Sequence, residues 1–215
     1  MLGILALLLM CAFGGLSIFN KKPLCDPNFI AKRLGDNPDA WKLIAHPDLR
    51  YHLMFYSNGG LNKTLKCLCT TKSNPVYNDK WKRTVLYHYN ENDTSLKHGG
   101  NSVWSKKTSG IFVYDNELST HYYERIDTRL SFSYSQMTSN NQVIYTDKKT
   151  CILMKSEELG HQVWVHTDYL QRFQKIPYVC VFFYEACAGK EKFWAYDWVF
   201  CPQHGHCSRQ DNVKT

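Results

Sequence analysis

From Tyr51 to His166 the chain is a succession of short β-rich runs with no helical run between them. That spacing restricts the fold more than any other feature. The runs are Tyr51–Tyr56, Leu65–Thr71, Thr84–Tyr89, Ser102–Trp104, Gly110–Tyr114, His121–Ile126, Leu130–Tyr134, Val143–Thr146, Cys151–Lys155 and Gln162–His166. Leu65–Thr71 alternates with the period of a half-buried strand. Turn-forming groups separate most of the runs: Asn58-Gly59-Gly60, Asn90-Glu91-Asn92-Asp93, His98-Gly99-Gly100-Asn101, Asp115-Asn116-Glu117, Ser139-Asn140-Asn141 and Asp147-Lys148-Lys149. Eight to ten strands at roughly 8–12-residue spacing predict an all-β antiparallel meander. Such a meander must close to avoid exposed edges. A two-sheet sandwich is the competing all-β arrangement. A barrel of about eight strands encloses room for one small ligand.

Helical signals flank the meander. Asn37 and Pro38 suit a helix start, and Asp39-Ala40-Trp41-Lys42-Leu43-Ile44 continues it until Pro47. After His166, Pro177 begins a second helix in which Cys180 and Cys187 share one face, and Gly189 stops it. Residues 18–35 read as irregular, residues 36–201 as one domain, Phe193–Phe200 as extended, and residues 202–215 as a flexible tail.

Residues 1–17 read as a signal peptide. Leu2, Ile4, Leu5, Leu7, Leu8 and Leu9 form its apolar region, and Gly15 and Ser17 are the small residues before the cut. No later segment is long and apolar enough to span a bilayer. Of nine cysteines, Cys11 lies in the signal, which leaves Cys25, Cys67, Cys69, Cys151, Cys180, Cys187, Cys201 and Cys207. An even set in an exported chain reads as a disulfide framework. Asn62-Lys63-Thr64 and Asn92-Asp93-Thr94 are glycosylation acceptors, which suits the same compartment. The net charge of +7 is scattered, as on a solvated face, rather than massed for nucleic acid.

Several of these pieces occur together in a known order. The chain resembles the salivary lipocalins of ticks, the histamine-binding group. The resemblance rests on Asp39-Ala40-Trp41-Lys42, the strand with Cys67 and Cys69, Cys151-Ile152-Leu153, Gln162-Val163-Trp164, Ile176-Pro177, Cys180 and Cys201, and spans about residues 36–201. It implies an eight-stranded antiparallel lipocalin barrel with a short N-terminal helix and a C-terminal helix disulfide-linked to it. It also implies secretion in saliva and sequestration of a host mediator. The implied bridges are Cys151 to Cys180 and either Cys67 or Cys69 to Cys201. A lipid-mediator-binding branch adds Cys25 to Cys187, and Cys207 would then take the remaining cysteine of the 67/69 pair.

Amine-binding members of that family carry the motif Cys-Asp-aliphatic, then Glu-Leu-aromatic, then Cys, which aligns with Cys151-Ile152-Leu153, Gln162-Val163-Trp164 and Cys180. A protonated amine buried without a counter-charge is costly, whereas a fixed acid beside an aromatic face stabilises it. Here the two positions hold Ile152 and Gln162, and only Trp164 matches. The substitution shifts the expectation toward an amphipathic lipid such as a leukotriene, fatty acid or sterol, with histamine or serotonin next. The predicted lining is Trp41, Tyr87, Trp104, Tyr123, Tyr134, Ile152, Gln162 and Trp164. Asp39, Glu117, Glu124 and Asp127 are the carboxylates placed to serve as replacement acids.

Other constellations are thin. His204-Gly205-His206-Cys207 has metal-ligand types, but it sits in a tail whose cysteine belongs to the disulfide set. Lys80-Trp81-Lys82-Arg83 is a short basic run that reads as a solvated strand start. No phosphate loop, nucleophile elbow or zinc-protease motif is present, so neither catalysis nor a cofactor or metal is expected. The reading is a secreted monomeric carrier of a small host mediator, with no nucleic-acid partner and no membrane span after signal removal. The alternative is a filled barrel whose basic surface binds a host protein.

Overall fold

The computed structural model describes residues 25–35, 38–46, 50–59, 64–77, 80–90, 103–127 and 132–204. Side chains are described for all of these except residues 64–65, 72, 77, 80, 83–90, 103–108, 122–127, 132–135 and 203–204. The signal segment, Asn62, Cys207 and the 205–207 part of the histidine-rich tail therefore lie outside the described residues, as does Asn92.

In chain order the elements are α1 (Pro27–Leu34), α2 (Ala40–Ala45), β1 (Tyr51–Tyr56), β2 (Thr64–Tyr77), β3 (Lys80–Asn90), β4 (Val103–Tyr114), β5 (Glu117–Asp127), β6 (Phe132–Thr146), β7 (Cys151–Ser156) and β8 (Gly160–His166). Then follow α3 (Thr167–Phe173), α4 (Tyr178–Ala188), β9 (Phe193–Trp194) and α5 (Phe200–His204). The strands form one antiparallel sheet in the order β2-β3-β4-β5-β6-β7-β8-β1-β9, and β1 also meets β2 at His52↔Cys69. The sheet has nine strands where eight were expected.

The ninth strand comes from the tail. Beyond His52↔Cys69, β9 lies against β1 through Phe55↔Trp194 and Tyr56↔Phe193. The Ala195 N–H donates to Met54 O at 2.9 Å, and Ala195 O accepts from the Cys67 N–H at 2.8 Å. One residue thus bridges β1 and β2. Cys67 can reach it because β2 bulges there: the register shifts between Lys66 and Cys69, and Cys67 adopts a left-handed φ of 53°. A disulfide from Cys67 to Cys201 fixes the arrangement, with a Cα–Cα distance of 5.4 Å. Two further disulfides, Cys151–Cys180 and Cys25–Cys187, join β7 to α4 and the start of α1 to the end of α4. Cys69 is also disulfide-bonded.

Two buried clusters lie on opposite faces of the sheet. Met54, Phe55, Ile144, Cys151, Leu153, Val163 and Val165 pack beneath Ile30 of α1 and Cys180, Phe183 and Tyr184 of α4. The other faces of the same strands present Leu53, Val143, Ile152, Met154 and Trp164. These meet Leu68, Ile111 and Leu118 from β2, β4 and β5, with Ala40, Leu43 and Ile44 of α2. Side chains from seven strands can share one cluster only where the sheet curls around them, so this is the concave face. His52 lies against the tail instead: it is buried, its ring meets that of Tyr196 edge-on at 5.4 Å, and its Nδ1 has no hydrogen-bond partner among the described residues.

Three expectations are corrected. Pro27–Leu34 is a helix, not irregular chain: the Asp26 side chain accepts from the Asn28 N–H, Pro27 begins the helix, and Gly35 ends it at φ 69°. The cap of α2 is Asp39 rather than Asn37, with Oδ1 accepting from the Lys42 N–H at 3.1 Å. Ser139-Asn140-Asn141 is not a turn but the middle of β6, paired with Leu118, Ser119 and Thr120 of β5.

The β6–β7 turn depends on one carboxylate. Asp147 Oδ1 accepts from the N–H groups of Lys149, Thr150 and Cys151 at 3.0, 2.7 and 3.1 Å, and Oδ2 accepts from the Thr150 hydroxyl. Burial pushes this carboxyl up, but the hydrogen bonds from Thr150, Cys151 and Lys149 outweigh it and hold the group below its ordinary pKa. Asp147→Ala would leave three N–H groups without this acceptor. It is expected to lower stability by about 1–3 kcal/mol in urea titration, and Asp147→Asn by less, because an amide oxygen still accepts.

Candidate functional site

The concave face under α2 is the candidate site. Alternation along β7 sends Ile152, Met154 and Ser156 to this face, while Cys151 and Leu153 pack beneath α4. On β8 the same alternation sends Gln162 and Trp164 inward and Val163 and Val165 outward. Register pairs Ile152 with Trp164 and Met154 with Gln162, so positions 152 and 162 are diagonal neighbours. Opposite them on β1 stand Leu53, paired with Trp164, and Tyr56, paired with Gln162.

Gln162 is the polar centre of this face and is 1% exposed. Its Nε2 donates to Ser156 Oγ at 2.8 Å and to Asn141 Oδ1 at 3.4 Å. Its Oε1 accepts from Trp164 Nε1 at 3.0 Å. Both amide hydrogens are therefore engaged, and one lone pair of Oε1 remains. The carboxamide is held in one orientation by partners on β6, β7 and β8. Ser156 and Asn141 were missed from the sequence. Ser156 was available by parity, two residues beyond Met154, whereas Asn141 was hidden in an apparent turn.

The described carboxylates lie elsewhere. Asp39 caps α2, and its Oδ2 lies 3.4 Å from Lys42 Nζ. Glu117 is exposed at the β4–β5 turn. Asp147 holds the β6–β7 turn, and Glu185 on α4 pairs with Lys192 at 2.5 Å. Among the described residues no carboxylate is buried, on this face or elsewhere. Glu124 and Asp127 are on β5, where the register is described and their side chains are not.

The predicted aromatic lining divides in the same way. Trp164 is in the cluster and 7% exposed. Trp41 is 37% exposed on α2, with its ring edge-on to Trp81 at 5.5 Å. It sits at the rim beside Trp81, which packs against the concave cluster. Tyr87, Trp104, Tyr123 and Tyr134 occupy strands at Tyr87↔Ser105, His88↔Trp104, Tyr123↔Gln136 and Arg125↔Tyr134, and their side chains fall outside those described. Tyr51, Tyr56 and Leu68 line the described part of the face without having been singled out.

Chemically the face offers apolar surface, aromatic rings and one anchored amide. Among the described residues it offers no nucleophile with an adjacent base. Among the described residues, no group of three His, Cys, Asp or Glu side chains is placed to hold a metal ion, and no helix is long and apolar enough to cross a membrane.

The family model described as tick histamine binding protein matches residues 29–202. No curated protein matches the chain. Among solved structures, the crystal structure of the AM182 serotonin complex aligns with a TM-score of 0.48 at 15% identity, covering 75% of this chain and 92% of that one.

Proposed function

We propose, for a chain that belongs to the tick histamine-binding protein family, that the curled sheet closes as an eight-stranded lipocalin barrel and sequesters a small amphipathic host molecule, a leukotriene, fatty acid or sterol. β9 then patches the seam between the first and second strands. The protein is secreted after removal of residues 1–17, is glycosylated at Asn62 and Asn92, works as a monomer, and suppresses host defence by withholding the mediator. It performs no chemistry on its ligand.

One observation carries this reading: the concave face presents Ile152, Met154 and Trp164 around a Gln162 whose amide hydrogens are already engaged. An apolar ligand body gains by burial there, at about 25 cal/mol per Å². A cation would be desolvated against neutral groups. Family membership favours a second reading, a biogenic amine, which would need a carboxylate other than one at 152 or 162. Glu124, which by strand alternation is on the same face of β5 as Leu118, is the residue to test for that role.

Native mass spectrometry after incubation with histamine, serotonin, a leukotriene, a fatty acid and cholesterol separates the readings. Retention of a lipid and loss of both amines is expected. Retention of an amine alone would select the second reading. Retention of none would leave a host protein as the partner. Ile152→Asp combined with Gln162→Glu is expected to raise histamine affinity roughly 10–100-fold, since Trp164 and Ser156 are already placed to donate to a carboxylate at 162, and charged hydrogen bonds contribute about 1.5–3 kcal/mol. Calorimetry showing no gain would overturn the placement of these two positions.

A further inference from the structure

α4 packs on the outside of the sheet, yet its outward face is nearly as apolar as its inward one. Inward, Cys180, Phe183 and Tyr184 are buried. Outward, Tyr178 is 81% exposed and Phe182, one turn on, is 49% exposed. Their rings lie 6.3 Å apart and tilted by 31°. Glu185 is the only charged residue in the helix, and it is paired with Lys192. An outer-layer helix normally carries its polar residues on this side. In the turn before α4, Phe173 is 46% exposed at the end of α3. Arg172 and Lys175 sit over the Phe173 ring at 5.1 and 5.8 Å from its centroid. Among the described residues neither cation has an ion-pair partner, and Asp168, the nearest acid on α3, faces His166 at 4.0 Å.

We infer that this corner, Arg172, Phe173, Lys175, Tyr178 and Phe182, is a peripheral docking surface for an anionic lipid bilayer. Charge complementarity selects that partner. Two cations without an ion pair among the described residues accompany exposed aromatic rings, the combination that settles at the headgroup level of a membrane carrying negative lipids. The stripe formed by Tyr178 and Phe182 is too short to insert and is tied to the sheet by Cys151–Cys180. The docked protein therefore lies on the membrane and keeps its concave face intact.

Co-sedimentation of the full chain with phosphatidylcholine vesicles, and with vesicles containing about one-third phosphatidylserine, tests this. Binding to the anionic vesicles only, weakening as salt rises, is expected. Lys175→Glu and Arg172→Glu are each expected to weaken it by at least about five-fold, the equivalent of removing one surface cation near the headgroups. Tyr178→Ser with Phe182→Ser is expected to weaken it at low salt as well. Lys175→Glu alters one exposed side chain beyond the end of α3, so it remains a fair test if the double aromatic variant fails to fold. No phosphatidylserine-dependent binding by the unmodified chain would overturn the inference. So would binding that survives both charge reversals, because the attachment would then lie elsewhere on the basic surface. Ligand retention in native mass spectrometry should be unchanged in these variants, which separates failure here from failure of the carrier reading.

Discussion

Replacing Tyr184 by alanine is expected to lower the unfolding free energy by about 3–5 kcal/mol, the range for deleting a buried aromatic ring. The ring is fully buried, meets Phe55 edge-on at 4.7 Å, and carries the Lys192 ammonium 5.7 Å from its centroid. Its hydroxyl donates to Glu191 O at 2.6 Å. Burial, and then the carboxylates of Glu191 and Glu185, push the phenol up to about 12, so it stays a donor across the physiological range. Alanine would therefore empty the space between sheet and helix and release the 189–192 loop as well. Tyr184→Phe keeps the ring and loses one hydrogen bond, so about 1 kcal/mol is expected. Urea titration with all disulfides oxidised measures both. Equal losses from the two variants would mean that the hydroxyl, not the packing, fastens α4.

The second large effect is a dependence on pH. Burial, and then the nearby positive charges of Arg50 and His166, lower the His52 pKa from 6.5 to about 4. The folded protein therefore holds His52 neutral where the unfolded chain would already protonate it. Between pH 6.5 and about 4 the unfolded state binds more protons, so stability falls as pH falls through this window. The expected loss is about 3 kcal/mol, and below pH 4 this contribution levels off. His161 and His166 are also lowered, each chiefly by burial, and add to the same slope. His52→Phe should flatten most of it: phenylalanine can still stack on Tyr196 and leaves no ring nitrogen unpartnered. A melting-temperature series from pH 7 to 4 reads this directly. An unchanged slope in the variant would place the proton uptake elsewhere.

The strands nearest the candidate site were the most legible. Alternation at Cys151–Lys155 and Gln162–His166 separates Ile152 and Trp164 from Leu153 and Val165 because each face meets a different apolar layer. The helix after Pro177 was legible for a similar reason: a proline start, cysteines seven apart and Gly189 at its end. Local signals misled where tertiary pairing overrode them. Asn141 is a turn former by preference, yet the Leu118 pairing and the bond from Gln162 keep it in the middle of β6. At α1 the signals are present within a segment read as irregular: Pro27 at a helix start and Gly35 at its end are what a short helix requires. β9 lies at the start of the segment read as extended, but its pairing was beyond reach: two residues carry no period, and their place was set by Met54 and Cys67, far away in the chain.

That ninth strand also dictates an order of events during biosynthesis. Ala195 supplies the groups that join β1 to β2, and the bonds that lock the ends together span 134 and 162 residues of sequence. β1 and β2, made earlier, must wait with that seam unfilled until Ala195 has left the ribosome. Contacts of such long range also slow folding. The two long-range disulfides therefore cannot close until Cys187 and Cys201 have been made, and they fasten a sheet whose first strand is completed by residues far downstream.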